Sequence, residues 1–273
     1  MSLKKDASGR RSIQVEVEVP GTPEQVWQSI ATGPGISSWF VPTDVDEREG
    51  GAVTSHFGPG MDSIATVTAW EPPQRFAAES RDFGPSAPLL ATEWIVEAHS
   101  GGTCIVRVVH SLFASSDDWD DQLESFESGW PKFFSILRLN LTHFRGQLCS
   151  AFRVMGMAPE PESKAWDALT CPLGVDGLSM GRPWNTPAGA PPLAGLVEQV
   201  GEGNRHTLLL RLDEPTPGIL SIFAHAMGGQ VYLAIDFYLY GDRAPAAAAR
   251  NEPLWRTWMN ERFPAVGDTG NVV

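Results

Sequence analysis

The stretch PEQVWQSIATGPGISSWF, residues 23–40, decides the fold, because a similar string, PESKAWDALTCPLGVDGL, occupies residues 161–178. Both strings begin with Pro-Glu, pass through a Trp into a short apolar helix pattern, and end at a Gly-containing break. The matched pairs Trp27 and Trp166, Ile30 and Leu169, and Gly35 and Gly174 each lie 139 residues apart. This constant spacing predicts a duplication, in which one fold occurs twice and only the first copy is complete.

The composition bounds the class of protein. The chain has 273 residues and a formal net charge of −13, so it repels phosphate backbones and gives no long-range attraction to anionic membranes. No apolar run approaches the roughly 18 residues of a membrane-spanning helix. The first residues, MSLKKDASGRR, lack the apolar core of a signal peptide, and the three cysteines show no metal-type spacing. We therefore expect a cytoplasmic protein that binds neither nucleic acid nor membrane.

The first half reads as strand, two short helices, six strands and a long helix. Residues 13–19, IQVEVEV, alternate strictly and predict a half-buried strand, and Thr22 is placed to cap the helix that starts at Pro23. Turn signals then separate six short strands. An acidic run, Asp117 to Asp121, precedes one wide apolar helix face, and Pro131 inside it predicts a kink. That face is formed by Leu123, Phe126, Trp130, Phe133, Phe134, Leu137 and Leu141.

The predicted fold class is therefore α+β: an antiparallel sheet wrapped around a long C-terminal helix, present twice in tandem. A Gly-Gly hairpin at Gly101 is repeated at Gly228, but only 127 residues later, so about twelve residues are missing from the second copy. Residues 177–192 are rich in Pro and Gly and are interpreted as loop, and the closing helix is placed at 254–263. The predicted domains are 12–146, complete, and 149–265, degenerate.

The first half resembles a known family. The features that carry the resemblance are TPEQVWQSI at Thr22, the Trp39-Phe40 pair, EREGGAV at Glu47, WEPPQRF at Trp70, and Gly129-Trp130-Pro131 in the long helix. Together they are similar to the SRPBCC superfamily, and more closely to bacterial homologues of the C-terminal domain of the heat-shock protein 90 ATPase activator. The resemblance implies a helix-grip fold with a cavity between helix and sheet. Members bind small molecules, cyclise or dehydrate polyketides, carry lipids, or have stress-related roles.

Strand parity predicts which side chains face that cavity. Outward charges in 75–81, 90–98 and 103–112 leave the alternate positions inside. The predicted ligand-binding residues are Trp39, Phe76, Ser80, Trp94, Val108, His110, Trp130 and Phe134. Aromatic side chains also dominate ordinary cores, so packing of these residues on one another is the alternative to ligand contact.

His110 is the one candidate for acid–base chemistry, because an unperturbed imidazole titrates near neutrality. The competing interpretation, which we favour, is a strand-end histidine bonded to a neighbour. No nucleophile elbow, phosphate loop, dinucleotide fingerprint or metal-binding motif occurs in the sequence. The acidic run near Asp118 is typical of a solvated helix start. We therefore expect no cofactor and no metal.

Three functions remain for this sequence. The preferred hypothesis is non-catalytic binding of a small hydrophobic molecule by the first copy, in a stress-related or regulatory role. The second is a polyketide cyclase- or dehydratase-like enzyme, which needs two polar groups converging in the cavity. The third is a chaperone-associated interaction module with a filled cavity. The expected partner is a small hydrophobic ligand, and a second copy in a homodimer and a chaperone are further candidates.

Overall fold

Each half of the chain folds as an antiparallel sheet packed against one long helix. The computed structural model describes residues 3–7, 9–58, 60–81, 87–114, 117–201, 203 and 205–264. The chain divides into unit 1, Met1–Gly146, and unit 2, Gln147–Val273. The predicted α+β class, with two helix-grip folds in tandem, is confirmed.

Unit 1 contains, within its described residues, an eight-stranded sheet and three helices. The sheet order is β1-β2-β8-β7-β6-β5-β4-β3, and every neighbouring pair is antiparallel. The strands are β1 (Lys4–Lys5), β2 (Arg10–Pro20), β3 (Thr43–Val45), β4 (Ala52–His56), β5 (Asp62–Glu71), β6 (Arg75–Ser80), β7 (Leu90–His99) and β8 (Thr103–Phe113). The helices are α1 (Pro23–Ala31), α2 (Gly33–Ser37) and α3 (Asp120–Leu139), and a π-helical turn, Asn140–Phe144, follows α3.

Local signals in the sequence set the first elements of unit 1. Thr22 caps α1 as predicted: its side chain accepts a hydrogen bond from the Gln25 backbone, and the Gln25 side chain accepts one from the Thr22 backbone. The α3 helix runs without interruption through Pro131, and it packs against β2 and β8. Its apolar face therefore covers the inner face of the sheet, as the periodicity predicts.

The acidic run before α3 has a tertiary role. Asp117 and Asp120 accept hydrogen bonds from Arg11 of β2 at 2.5 and 2.6 Å, and Lys5 of β1 lies 2.8 Å from Asp120. The residue before the helix, Trp119, makes no side-chain cap. These carboxylates thus attach the start of α3 to the sheet, and the serines that precede them lie outside the described residues.

Unit 2 contains, within its described residues, a six-stranded sheet and two α-helices. The order is β10-β11-β12-β13-β14-β9. The strands are β9 (Cys149–Pro159), β10 (Pro183–Asn185), β11 (Ala194–Val200), β12 (Thr207–Glu214), β13 (Gly218–Met227) and β14 (Gln230–Tyr240), and the helices are α4 (Glu162–Thr170) and α5 (Ala244–Arg262), with a 3-10 turn at Cys171–Leu173. The α5 helix packs against β9 and β14. None of the described helices has the length and apolar character needed to cross a bilayer.

Two expectations for unit 2 were wrong. The stretch 177–192, interpreted as loop, contains β10, which pairs with β11 although Pro183 starts it. The last helix begins at Ala244, ten residues before the predicted start. Its first turns form an alanine run, which favours helix by intrinsic propensity but carries no apolar stripe that periodicity could detect.

The pairing registers show which parts of the two units correspond. In unit 1 Ile13 pairs with His110, and in unit 2 Phe152 pairs with Phe237 at the equivalent point. The offset between the first strands is again 139 residues. Following the neighbours outward, β11 corresponds to β5 and β10 to β4, so β3 has no counterpart. At the opposite edge β1 has no counterpart either, so within the described residues the second sheet is shorter by one strand at each edge.

Candidate functional site

A cavity of about 590 Å³ opens in unit 1 between residues 125–133 of α3, the end of α2 and the inner face of the sheet. Its wall is mainly apolar and aromatic, with a few hydroxyl groups between the rings. The strands contribute Val53, Ser55, Ala65, Phe76, Ala78, Ser80, Leu90, Thr92, Trp94 and His110, and α3 contributes Ser125, Phe126, Gly129, Trp130 and Phe133. The first copy therefore has an open cavity, as ligand binding requires.

The structure brings most of the predicted site residues to this cavity. Six of the eight line it: Trp39, Phe76, Ser80, Trp94, His110 and Trp130. Val108 and Phe134 do not, although both side chains face inward and are buried. Phe134 lies one helical turn beyond Trp130, where its ring packs on Trp94 with centroids 6.2 Å apart. These two residues are therefore part of the buried core and not of the cavity wall.

The aromatic wall is itself part of the core. Trp94 makes an edge contact with Trp130 at 5.1 Å and lies parallel to Phe76 at 6.2 Å. The indole N–H of Trp39 donates to the Ser29 carbonyl at 2.8 Å, which fixes that ring against α1. Packing and cavity lining are therefore not alternatives here, because the same rings do both.

Several cavity residues were missed by strand parity. Phe126 and Phe133 lie four residues before and three after Trp130 on α3, so helical spacing could have found them. Phe40 stacks on Trp130 at 5.4 Å and contacts Phe133 at 4.6 Å. Phe40 could have been suspected because it is next to Trp39 in the sequence. However, a short helix and the turn after it have no regular alternation that would show which side chains face the cavity.

His110 is neutral and doubly hydrogen-bonded. The indole N–H of Trp130 donates to its Nε2 at 2.7 Å, and its Nδ1 lies 2.9 Å from the Thr92 hydroxyl oxygen. Burial lowers the pKa of His110 from 6.5 to about 3, in place of the near-neutral value that suits acid–base catalysis. With both ring nitrogens bound to protein groups, this imidazole has no free position from which to exchange a proton with a ligand.

The mouth of the cavity combines exposed apolar side chains with a histidine between two carboxylates. Phe57 and Met61 line the opening, and both are exposed. His56 Nε2 lies 3.1 Å from Asp44, and its Nδ1 lies 3.0 Å from Asp62. These carboxylates raise the pKa of His56 above 6.5. Among the described residues, no group of three or more His, Cys, Asp or Glu side chains is placed to hold a metal ion.

Residues 20–141 match the family model described as activator of Hsp90 ATPase homolog 1-like protein, AHSA1. Unit 1 is an AHSA1-like domain. The matched range contains α1, the whole cavity and nearly all of α3, so the resemblance noted in the sequence is confirmed for this unit. Among curated proteins, none matches the chain.

Solved structures with similar backbones include three of note. The di-domain ARO/CYC protein BexL of the BE-7585A biosynthetic pathway is 14% identical, with a TM-score of 0.45 over 93% of this chain and 99% of BexL. DynU16 of the dynemicin biosynthetic locus is 16% identical, with a TM-score of 0.42 over 91% and 96% of the two chains. The Aha1 dimer from Colwellia psychrerythraea is 18% identical, with a TM-score of 0.41 over 50% of this chain and 98% of that one.

Unit 2 replaces three polar groups of the AHSA1-like cavity with apolar side chains. By register, Ser80, Thr92 and His110 correspond to Leu212, Leu220 and Phe237. All three replacements belong to one buried apolar cluster that also contains Trp255 of α5. Phe237 packs on Trp255 with centroids 5.2 Å apart, and the Trp255 indole N–H has no hydrogen-bond partner within the described residues. The second copy is therefore built as a filled core at these positions.

Proposed function

We propose that the AHSA1-like domain binds a small aromatic or otherwise apolar molecule, non-covalently, in its cavity. The single observation that carries this proposal is the cavity of about 590 Å³ with a mainly aromatic wall. Ligand sites in proteins are concave, are about 300–1,000 Å³ in volume, and combine apolar walls with a few polar groups. Burial of apolar surface, at about 25 cal/mol per Å², would supply most of the affinity.

The contrast between the two units supports the same proposal. Where unit 2 places leucine and phenylalanine, unit 1 keeps a buried serine, a half-buried threonine and a buried histidine. Burying polar groups costs stability unless they are hydrogen-bonded, and unit 2 fills the same positions with apolar side chains, so polar groups kept beside an open space favour a binding role. The neutral, doubly bonded His110 favours binding over acid–base catalysis.

The proposal can be tested by filling the cavity with the substitution Gly129→Leu. Gly129 lines the cavity, and a Cβ added there meets no atom within 4 Å, so a larger side chain would project into open space. We expect the wild type to enhance the fluorescence of N-phenyl-1-naphthylamine and Gly129→Leu to lose this enhancement. The control is Ser128→Leu, next to it on the exposed surface of α3, which should bind like the wild type. Equal binding by all three proteins, or no binding by the wild type, would overturn the proposal.

A further inference from the structure

Trp130 fixes the tautomer of His110. An indole N–H can only donate, so His110 Nε2, 2.7 Å away, must accept and carries no proton. A neutral imidazole then carries its single proton on Nδ1. That N–H therefore donates to the Thr92 hydroxyl oxygen at 2.9 Å.

Because the Thr92 hydroxyl oxygen accepts this hydrogen bond, its own proton is not used in the contact with His110. Thr92 lines the cavity and makes no other side-chain hydrogen bond within the described part of the chain. A hydroxyl that accepts a hydrogen bond becomes a better donor, because chains of hydrogen bonds polarise one another. The chain Trp130–His110–Thr92 thus ends in a donor at the cavity wall.

Two other hydroxyl groups at the wall, those of Ser55 and Ser80, are less well placed for this role. Ser55 shares a hydrogen bond of 3.3 Å with Thr43, whose own hydroxyl donates to the Val41 carbonyl at 2.9 Å. Ser80 also has an interaction partner. Thr92 differs because its hydroxyl oxygen already accepts a hydrogen bond from His110. Its hydroxyl proton is therefore the group that it offers to a bound molecule.

We infer that Thr92, positioned by His110, donates a hydrogen bond to a carbonyl-type oxygen of the bound molecule, which makes aromatic ketones the preferred ligand class. This inference rests on the proposed function and specifies it. Aromatic rings of the cavity wall pack on His110, the residue that positions the donor: Phe126 is stacked on it at 4.5 Å, and Trp130 at 5.7 Å. Thr92 and these rings line the same cavity, so the inference places the rings of the ligand along the aromatic wall and its oxygen at Thr92.

The test compares 2-acetylnaphthalene with 2-ethylnaphthalene, which differ in the carbonyl and are similar in shape. We expect the wild type to bind the ketone about three- to tenfold more tightly, the range given by one net hydrogen bond. Thr92→Val, which removes the hydroxyl and keeps the shape, should lose this preference. Thr92→Ser, which keeps the hydroxyl, should retain it. The infrared carbonyl stretch of the bound ketone should lie at lower frequency in the wild type and in Thr92→Ser than in Thr92→Val.

The outcomes separate this inference from the function on which it rests. Equal affinity for both compounds, with an unshifted carbonyl stretch, would overturn the inference and leave hydrophobic binding standing. Binding of neither compound by the wild type would overturn both. Should Thr92→Val fail to fold, the carbonyl stretch of the ketone bound to the wild type decides the matter alone. His110→Phe tests the positioning role: the carbonyl stretch of the ketone bound to this variant should shift less than that of the ketone bound to the wild type.

Discussion

At the scale of single residues, the environment of His110 decides its chemistry. The same burial that removes it from acid–base catalysis makes it a source of pH-dependent stability. Its pKa is about 3 in the folded chain and about 6.5 when unfolded. Between these values the unfolded chain binds a proton that the folded chain does not, so acidification below about pH 6.5 favours unfolding.

We predict that the free energy of unfolding of the wild type falls by about 2 kcal/mol more than that of His110→Phe between pH 7 and pH 5. Urea unfolding at both pH values measures this difference. His56 acts in the opposite sense, because its raised pKa gives stability that is present below about pH 6.5 and lost as the pH rises. His56→Gln is therefore the control, and equal pH slopes for the wild type and His110→Phe would contradict the prediction.

At the scale of elements, α3 serves two purposes along its length. Residues 125–133 carry Phe126, Gly129 and Trp130 at the cavity, and residues 134–137 bury Phe134, Ile136 and Leu137 in the core. Gly129 keeps the cavity open at the expense of stability, because glycine in a helix interior is less stable than alanine.

We predict that Gly129→Ala raises the free energy of unfolding by roughly 0.5–1 kcal/mol, since its Cβ enters open space. The same substitution at Gly156 of β9 should have the opposite sign, because a Cβ there would lie 2.5 Å from the Phe263 Cβ. Thermal unfolding of both variants measures the pair. A destabilised Gly129→Ala would mean that α3 needs glycine for its backbone and not for the cavity.

At the scale of the whole molecule, each unit holds its own core. The sheet of unit 1 closes on α3 through contacts within residues 1–146, and unit 2 has a separate apolar cluster. Cooperative folding of one unit needs only such a core.

We predict that residues 1–146, produced alone, unfold in one cooperative transition and still bind N-phenyl-1-naphthylamine. Circular dichroism in the far and near ultraviolet, followed during heating, tests the first part, and fluorescence titration tests the second. Loss of the near-ultraviolet signal with retention of the far-ultraviolet signal would indicate a molten state, and the units would then depend on each other.

The strand period and the helix period predict the architecture and the part of the cavity wall that the strands and Trp130 form. Phe76, Trp94 and His110 face inward as parity predicts, because successive side chains on a strand alternate between faces. Parity could not pair Thr92 with His110 or bring Trp130 onto the imidazole, since these contacts depend on register and on where α3 lands. Likewise, Arg11 and Asp120 are 109 residues apart in sequence, and only the fold joins them.

The apolar replacements in unit 2 also set how freely the two halves can change over evolutionary time. Leu212, Leu220 and Phe237 belong to one buried apolar cluster. Selection should therefore remove polar substitutions at these positions in any lineage that keeps the chain folded. Selection for folding alone would accept leucine at Ser80 and Thr92, as unit 2 does. A lineage that has abandoned the ligand should therefore drift at these positions of unit 1 toward the residues already present in its second half.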